Sequence, residues 1–270
     1  MLSAQIQTPH KQGLRDLWKG ARAVNVWWSL AYFATKARFR RTVVGPLWMT
    51  LSLLIWVAML SLVNSHLFSL PVREAIPNLI VAMVFWSYIA SVMNEGSLAL
   101  ISAAGYLKNL NVSPFAHVMQ CMASNMITLS FNALLIPISI VILCLREDVH
   151  PWHAFWAIPG FILLTLNLIC VATLLAVVSL RYRDVPKIVL NAVQVLFFIT
   201  PVFWIPAKET IPLFVLLNPV YHMLELVRAP LLFETPNPLS WLVVGVLTIL
   251  LAALSLWTYA ASFRNLRKWA

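Results

Sequence analysis

The chain has 270 residues, 61% of them hydrophobic and only 10% charged, whereas a water-soluble domain is about half apolar and roughly a quarter charged. A mean hydropathy of +0.84 excludes an ordinary soluble fold and asks for lipid as the solvent. The net charge of +10 raises nucleic acid as a partner, which the placing of the charges argues against below.

The first 42 residues are the least apolar part. Leu14, Leu17, Trp18 and Ala21 recur at helical spacing, and Val24, Trp27, Trp28, Tyr32 and Phe33 follow among basic residues. Such a helix suits the membrane interface, with aromatics at headgroup level and cations toward anionic lipid. It is either a surface anchor or, in addition, a docking surface for a cytoplasmic partner. No signal peptide is expected, because the first apolar run comes after about 40 residues and is too long for an h-region.

Six apolar stretches follow, each near the roughly 20 residues that a helix needs to cross a bilayer. They are placed at Val43–Leu67, Ile76–Asn94, Phe115–Leu145, Ala154–Leu180, Lys187–Ile205 and Leu239–Phe263. Pro46, Pro77 and Pro159 fall in first turns, where a helix tolerates them. Pro137 lies inside the third stretch and predicts a kink there. Cys121, Cys144 and Cys170 sit singly in apolar runs and read as small core residues without a disulfide or metal pattern. Ile211–Phe233 is apolar enough for a seventh crossing, but Pro212, Pro219 and Pro230 divide it, and His222, Glu225 and Arg228 would lie in lipid. It reads as two short helices that dip back from the outer side.

Fifteen of the nineteen basic residues then fall on one side of the membrane, leaving Arg73, Arg146, Lys208 and Arg228 on the other. By the positive-inside rule that side, with both termini, is cytoplasmic. The basic excess orients a multi-pass protein, and no nucleic acid is needed to explain it. The expected organisation is an all-α membrane protein: residues 1–42 cytoplasmic or interfacial, 43–263 a six-span domain with an outer re-entrant region at 206–238, and 264–270 a cytoplasmic tail.

No lysine is followed by serine or threonine, so a P-loop cannot occur. No catalytic, cofactor-binding or metal site is expected. Inside the spans the ionisable groups are His66 and His117, with Glu95 and Lys187 at the edges. Ion-driven carriers need a mid-membrane carboxylate or a comparable relay, so energy for uphill transport must come from another subunit. Trp48, a belt candidate, and Trp56, Phe85, Tyr88, Phe197 and Trp204 are the aromatics placed to line a substrate channel. Phe85 and Tyr88 share a face, as do Phe197, Pro201 and Trp204. Flat rings suit the C–H faces of sugars; ordinary helix packing is the alternative.

The stretch Arg38–Ser52, RFRRTVVGPLWMTLS, resembles the approach to the first span in permeases of polysaccharide ABC exporters, which carry O-antigen, capsule or teichoic acid. Arg181–Val185, RYRDV, is similar to that family's second cytoplasmic loop. Ile199–Trp204, ITPVFW, with Asn218-Pro219 and Glu225–Pro230, ELVRAP, resembles its outer region, and the basic end from Arg264 matches as well. The Gly45–Trp48 form is nearest the O-antigen branch. The loop around Lys108 carries less basic character than the family's.

The resemblance implies a bacterial inner-membrane transport subunit that forms a homodimer over two cytoplasmic ABC ATPase subunits. ATP and magnesium would sit on those partners, and the cargo would be a lipid-linked polysaccharide. It implies a coupling helix within Ser97–Pro114, from Leu98, Leu100, Ile101, Tyr106, Leu107 and Lys108. It also implies an outer gate around Asn218, Pro219, Glu225 and Arg228, where the last two either hold the gate or neutralise charge near lipid. A permease for another cargo (lipid, drug or peptide) and a membrane enzyme of lipid-linked glycan synthesis are the competing classes.

Overall fold

The computed structural model describes residues 9–68, 72–105, 112–145, 151–204 and 211–269. Among them every regular element is helical: α1 Pro9–Arg22, α2 Val24–Arg38, α3 Leu47–Phe68, α4 Val72–Ser102, α5 Pro114–Asn132, α6 Ile136–Cys144, α7 Ala157–Arg181, α8 Val185–Ile199, α9 Leu213–Leu216, α10 Pro219–Leu231 and α11 Pro238–Trp269.

Five helical segments are long and apolar enough to cross a membrane: Leu47–His66, Ala75–Ser102, Pro114–Cys144, Pro151–Arg181 and Pro238–Leu266. Within the stretch expected as the fifth of six crossings, α8 is a 15-residue helix. At 1.5 Å per residue it rises about 22 Å, short of a hydrocarbon core of about 30 Å. Pro201, two residues past its end, explains the stop, since proline disfavours α geometry in the residue before it. Thr200 accordingly has extended dihedrals.

The break expected at Pro137 falls over a 3₁₀ turn, Ala133–Leu135, between α5 and α6. Proline offers no N–H to the carbonyl four residues back; that carbonyl, on Ala133, accepts from the Ile136 N–H instead. Pro77 differs from expectation. The helix begins at Val72, so Pro77 lies in its second turn.

α4 is the central helix, packed by α3, α5, α6, α7, α8 and α10. Its membrane-length window is 67% buried, against 17% for that of α11. Small and β-branched residues, Val81, Ala82, Val84 and Val92, are fully enclosed there. In lipid the helices gain nothing by hiding apolar surface from apolar solvent, so close van der Waals packing of small side chains holds them.

Polar contacts fix helix directions. Glu95–Asn125 and Ser87–Asn132 pair α4 antiparallel with α5. Trp156–Trp241 and Asn167–Thr248 pair α7 parallel with α11. At one end of the bundle Asp16 of α1 accepts from Ser113 (2.7 Å) and from the Tyr259 hydroxyl (2.5 Å), while Arg183 donates to the Trp269 carbonyl. At the other, Asn64 donates to the Phe203 carbonyl, His153 to the Phe233 carbonyl, and His222 bonds Ser240.

α1 docks by a stripe of which the sequence reading singled out only Leu17. Gly13, Leu17 and Gly20 are its buried positions, while Leu14 and Trp18 of the expected apolar face are 47% and 59% exposed. A Cβ on Gly13 would lie 2.6 Å from the Ala260 Cα, and one on Gly20 equally close to the Ser113 hydroxyl. At Gly13, where the neighbour is backbone, only glycine permits that approach.

Candidate pathway, outer and coupling sites

The aromatics expected along a substrate channel divide by environment. Phe85 and Tyr88 are 6% and 2% exposed, and both rings pack on Phe161 of α7. They are interior packing residues of the protomer. Trp48 and Trp56 are more than half exposed on α3, on a face that includes Leu51, Ile55 and Met59. Phe197 is partly buried, stacked on Phe203 at 5.4 Å and tilted against Trp86. Trp204 donates its indole N–H to the Phe198 carbonyl at the end of α8.

α8 carries residues that the sequence reading missed. It meets the core along Val189, Val193 and the partly buried Val185, Leu196 and Phe197. Lys187, Asn191, Gln194 and Phe198 form an exposed stripe at helical spacing. Among the described residues the Asn191 and Gln194 amides have no hydrogen-bond partner. A bare amide in hydrocarbon costs several kcal/mol, so this face suits water or a second protein surface. Two amides three residues apart in an apolar helix were the available signal. Phe198 borders the same surface beside Gln194, in a hollow of about 240 Å³ that also reaches Trp86.

The residues expected at the outer gate come together. Asn218 caps α10, accepting from the Val220 N–H at 3.0 Å, and donates to the Thr200 hydroxyl at 2.8 Å. Pro219 takes the first helical position, where its missing N–H is not needed. Arg228 pairs with Glu225 at 2.6 Å, with side chains only 8% and 15% exposed. Its other guanidinium nitrogen donates to the Pro201 carbonyl at 2.7 Å. Arg228 therefore does more than balance Glu225: it ties α10 to the chain just past α8. Gly160 of α7 presses on the same helix, with space for a Cβ filled by the Leu226 carbonyl.

The expected coupling residues are only partly within view. Leu98, Leu100 and Ile101 lie on the last turns of α4 itself, with Leu98 exposed and Leu100 fully buried. The separate short helix expected to include them is corrected by that continuity; no proline interrupts α4 between Glu95 and Ser102. Tyr106, Leu107 and Lys108 fall outside the described residues. Around this end Arg38 of α2 pairs with Glu95 at 2.8 Å, and Asn125 donates to the other carboxylate oxygen. The ion pair is about half exposed, so it contributes roughly 0–1 kcal/mol and serves mainly to set where α2 lies.

Comparison with known proteins gives two matches. The family described as ABC-2 type transporter matches residues 25–232. Over 255 residues the chain is 23% identical to the O-antigen export system permease protein RfbA of Myxococcus xanthus, covering 89% of this chain and 92% of that one.

Proposed function

This chain belongs to the ABC-2 type transporter family, and we propose that it exports a lipid-linked surface polysaccharide of O-antigen type across the bacterial inner membrane. It is a transport subunit, and ATP is hydrolysed by a separate partner subunit. The observation that carries the cargo is similarity to an O-antigen export permease over nearly the full length of both chains.

The proposal takes six crossings with both termini cytoplasmic. α8 leaves the bundle end where Arg183 meets Trp269, and the chain after it reaches Asn64 and Asn218 at the other end. α8 and the Thr200–Trp204 segment thus serve as the fifth crossing. α9 and α10 stay at the outer end, since the contacts Asn218–Thr200 and His222–Ser240, and Phe233–His153 just past α10, all lie there. Non-crossing helices at that depth are tolerated because α10 is buried in protein.

Two copies of the chain would meet across the exposed faces of α3 and α8, over two ATPase subunits holding ATP and magnesium. Trp48, Trp56 and Phe198 then supply ring faces along the pathway, and Asn191 and Gln194 supply hydrogen bonds to sugar hydroxyls. Weak stacking with sparse polar partners lets a glycan slide without sticking. ATP binding beneath shifts the two protomers, and the outer Asn218–Arg228 unit opens as the chain advances. Glu225→Gln keeps an acceptor for Arg228 but removes the charge; a gate role raises small-solute leakage through reconstituted protein, and unchanged leakage and export remove it.

The decisive experiment depletes the protein and measures glycan at the cell surface and inside. Surface loss with lipid-linked polymer accumulating internally places the chain at export. Surface loss without accumulation points to synthesis, and an unchanged surface leaves a permease for another cargo.

A further inference from the structure

A groove of about 790 Å³ runs between α2, the turn after it and α5. Its volume is within the range of small-molecule sites. Phe33, Phe39, Ile127 and Phe131 give it an apolar floor, and Lys36 and Arg40 stand on its rim. Among the described residues no acidic one lines it. The cations are sorted by position: Arg38 is taken by Glu95, while Lys36 and Arg40, four residues apart, turn to the groove. Among the described residues neither the Lys36 nor the Arg40 side chain has a hydrogen bond or ion pair. The far wall is the tight turn through Gly45, whose positive φ of 62° a side chain would strain.

We infer that this groove holds an anionic phospholipid, with its phosphate between Lys36 and Arg40 and its upper acyl chains over Phe131 and Ile127. Charge complementarity selects the occupant. Two cations with no acid nearby attract a head of net negative charge, and a zwitterionic head would bring a cation of its own. The apolar floor favours a lipid over a free anion. Ile127 and Phe131 lie two and six residues beyond Asn125, which shares Glu95 with Arg38. The lipid therefore sits one to two turns above the ion pair that sets α2, and it wedges α2 against α5. Its function is to hold the interfacial helix in place while the bundle moves.

The test needs neither cargo nor partner, so it is independent of the export reading. Full-length protein is reconstituted in nanodiscs of equal phosphatidylglycerol and phosphatidylcholine, and lipids retained after extraction are counted by native mass spectrometry. Phosphatidylglycerol is expected in at least fivefold excess. Lys36→Gln with Arg40→Gln should lower that excess at least fivefold, whereas Lys19→Gln with Lys268→Gln, equal in charge and exposed elsewhere, should leave it. Phe131→Trp, filling the floor with both cations kept, should also lower retention. The inference is overturned if wild-type protein shows no preference, if the control pair loses as much, if Phe131→Trp retains lipid normally, or if added polyprenyl phosphate displaces phosphatidylglycerol and stays bound.

Discussion

Arg228 is the residue whose removal discriminates best between a tether and a neutralised charge. In Arg228→Met the aliphatic volume is largely kept, but Glu225 loses its partner and the Pro201 carbonyl loses its donor. Both side chains are at least 85% buried, so Glu225 has little water to turn to. Breaking a buried pair by deleting one partner costs about 3–5 kcal/mol. At 1.4 kcal/mol per factor of ten, that is an increase of roughly two to three and a half orders of magnitude in the opening of α10. Replacing both partners, as in Glu225→Leu with Arg228→Met, removes the stranded charge and leaves the lost donor at Pro201, a loss of about 1–2 kcal/mol. Hydrogen–deuterium exchange over residues 219–231 reads these differences directly, since local opening sets protection. The single variant should exchange fastest, the double variant next, and the wild type slowest. Protection of Arg228→Met within threefold of wild type would refute the buried tether, and a double variant as fast as the single one would refute the stranded-charge argument.

Gly160→Ala should destabilise the α7–α10 contact by about 1–3 kcal/mol, because its methyl meets the Leu226 backbone carbonyl, which has no rotamer to yield; thermal unfolding in detergent measures this. Tyr259→Phe removes one of two hydroxyls that Asp16 accepts from and should loosen α1 by about 1–2 kcal/mol, seen as faster proteolysis near residue 22 with the core intact. Asn191→Leu with Gln194→Leu should leave folding unchanged and slow glycan export several-fold, as surface glycan labelling would read; normal export removes the α8 stripe from the pathway.

Several features were legible in the sequence because they are local. Pro137 breaks the third stretch for want of one N–H, and Asn218-Pro219 starts α10 as a cap followed by a first-position proline should. Glu225 and Arg228 pair at the spacing that suggested it. The reading of Leu98, Leu100 and Ile101 as a separate helix failed because nothing local ends α4 there. Phe85 and Tyr88 were correctly placed on one face, but on which side of the protomer that face lies is no property of α4 alone.

Hydropathy summed over some twenty residues determined from sequence that this is a multi-pass membrane protein and where five of its long apolar helices run. The tertiary structure alone decided which face of each helix turns inward. A soluble helix announces its buried face by a stripe of apolar residues, but α3 and the α11 segment before Arg264 are apolar all round and announce nothing. The choice passes to close backbone approach, as at Gly13 and Gly160, and to distant polar partners: Arg38 with Glu95, Arg228 with the Pro201 carbonyl, Asp16 with Tyr259. Those partners are 27 to 243 residues apart along the chain, and only the fold brings them together.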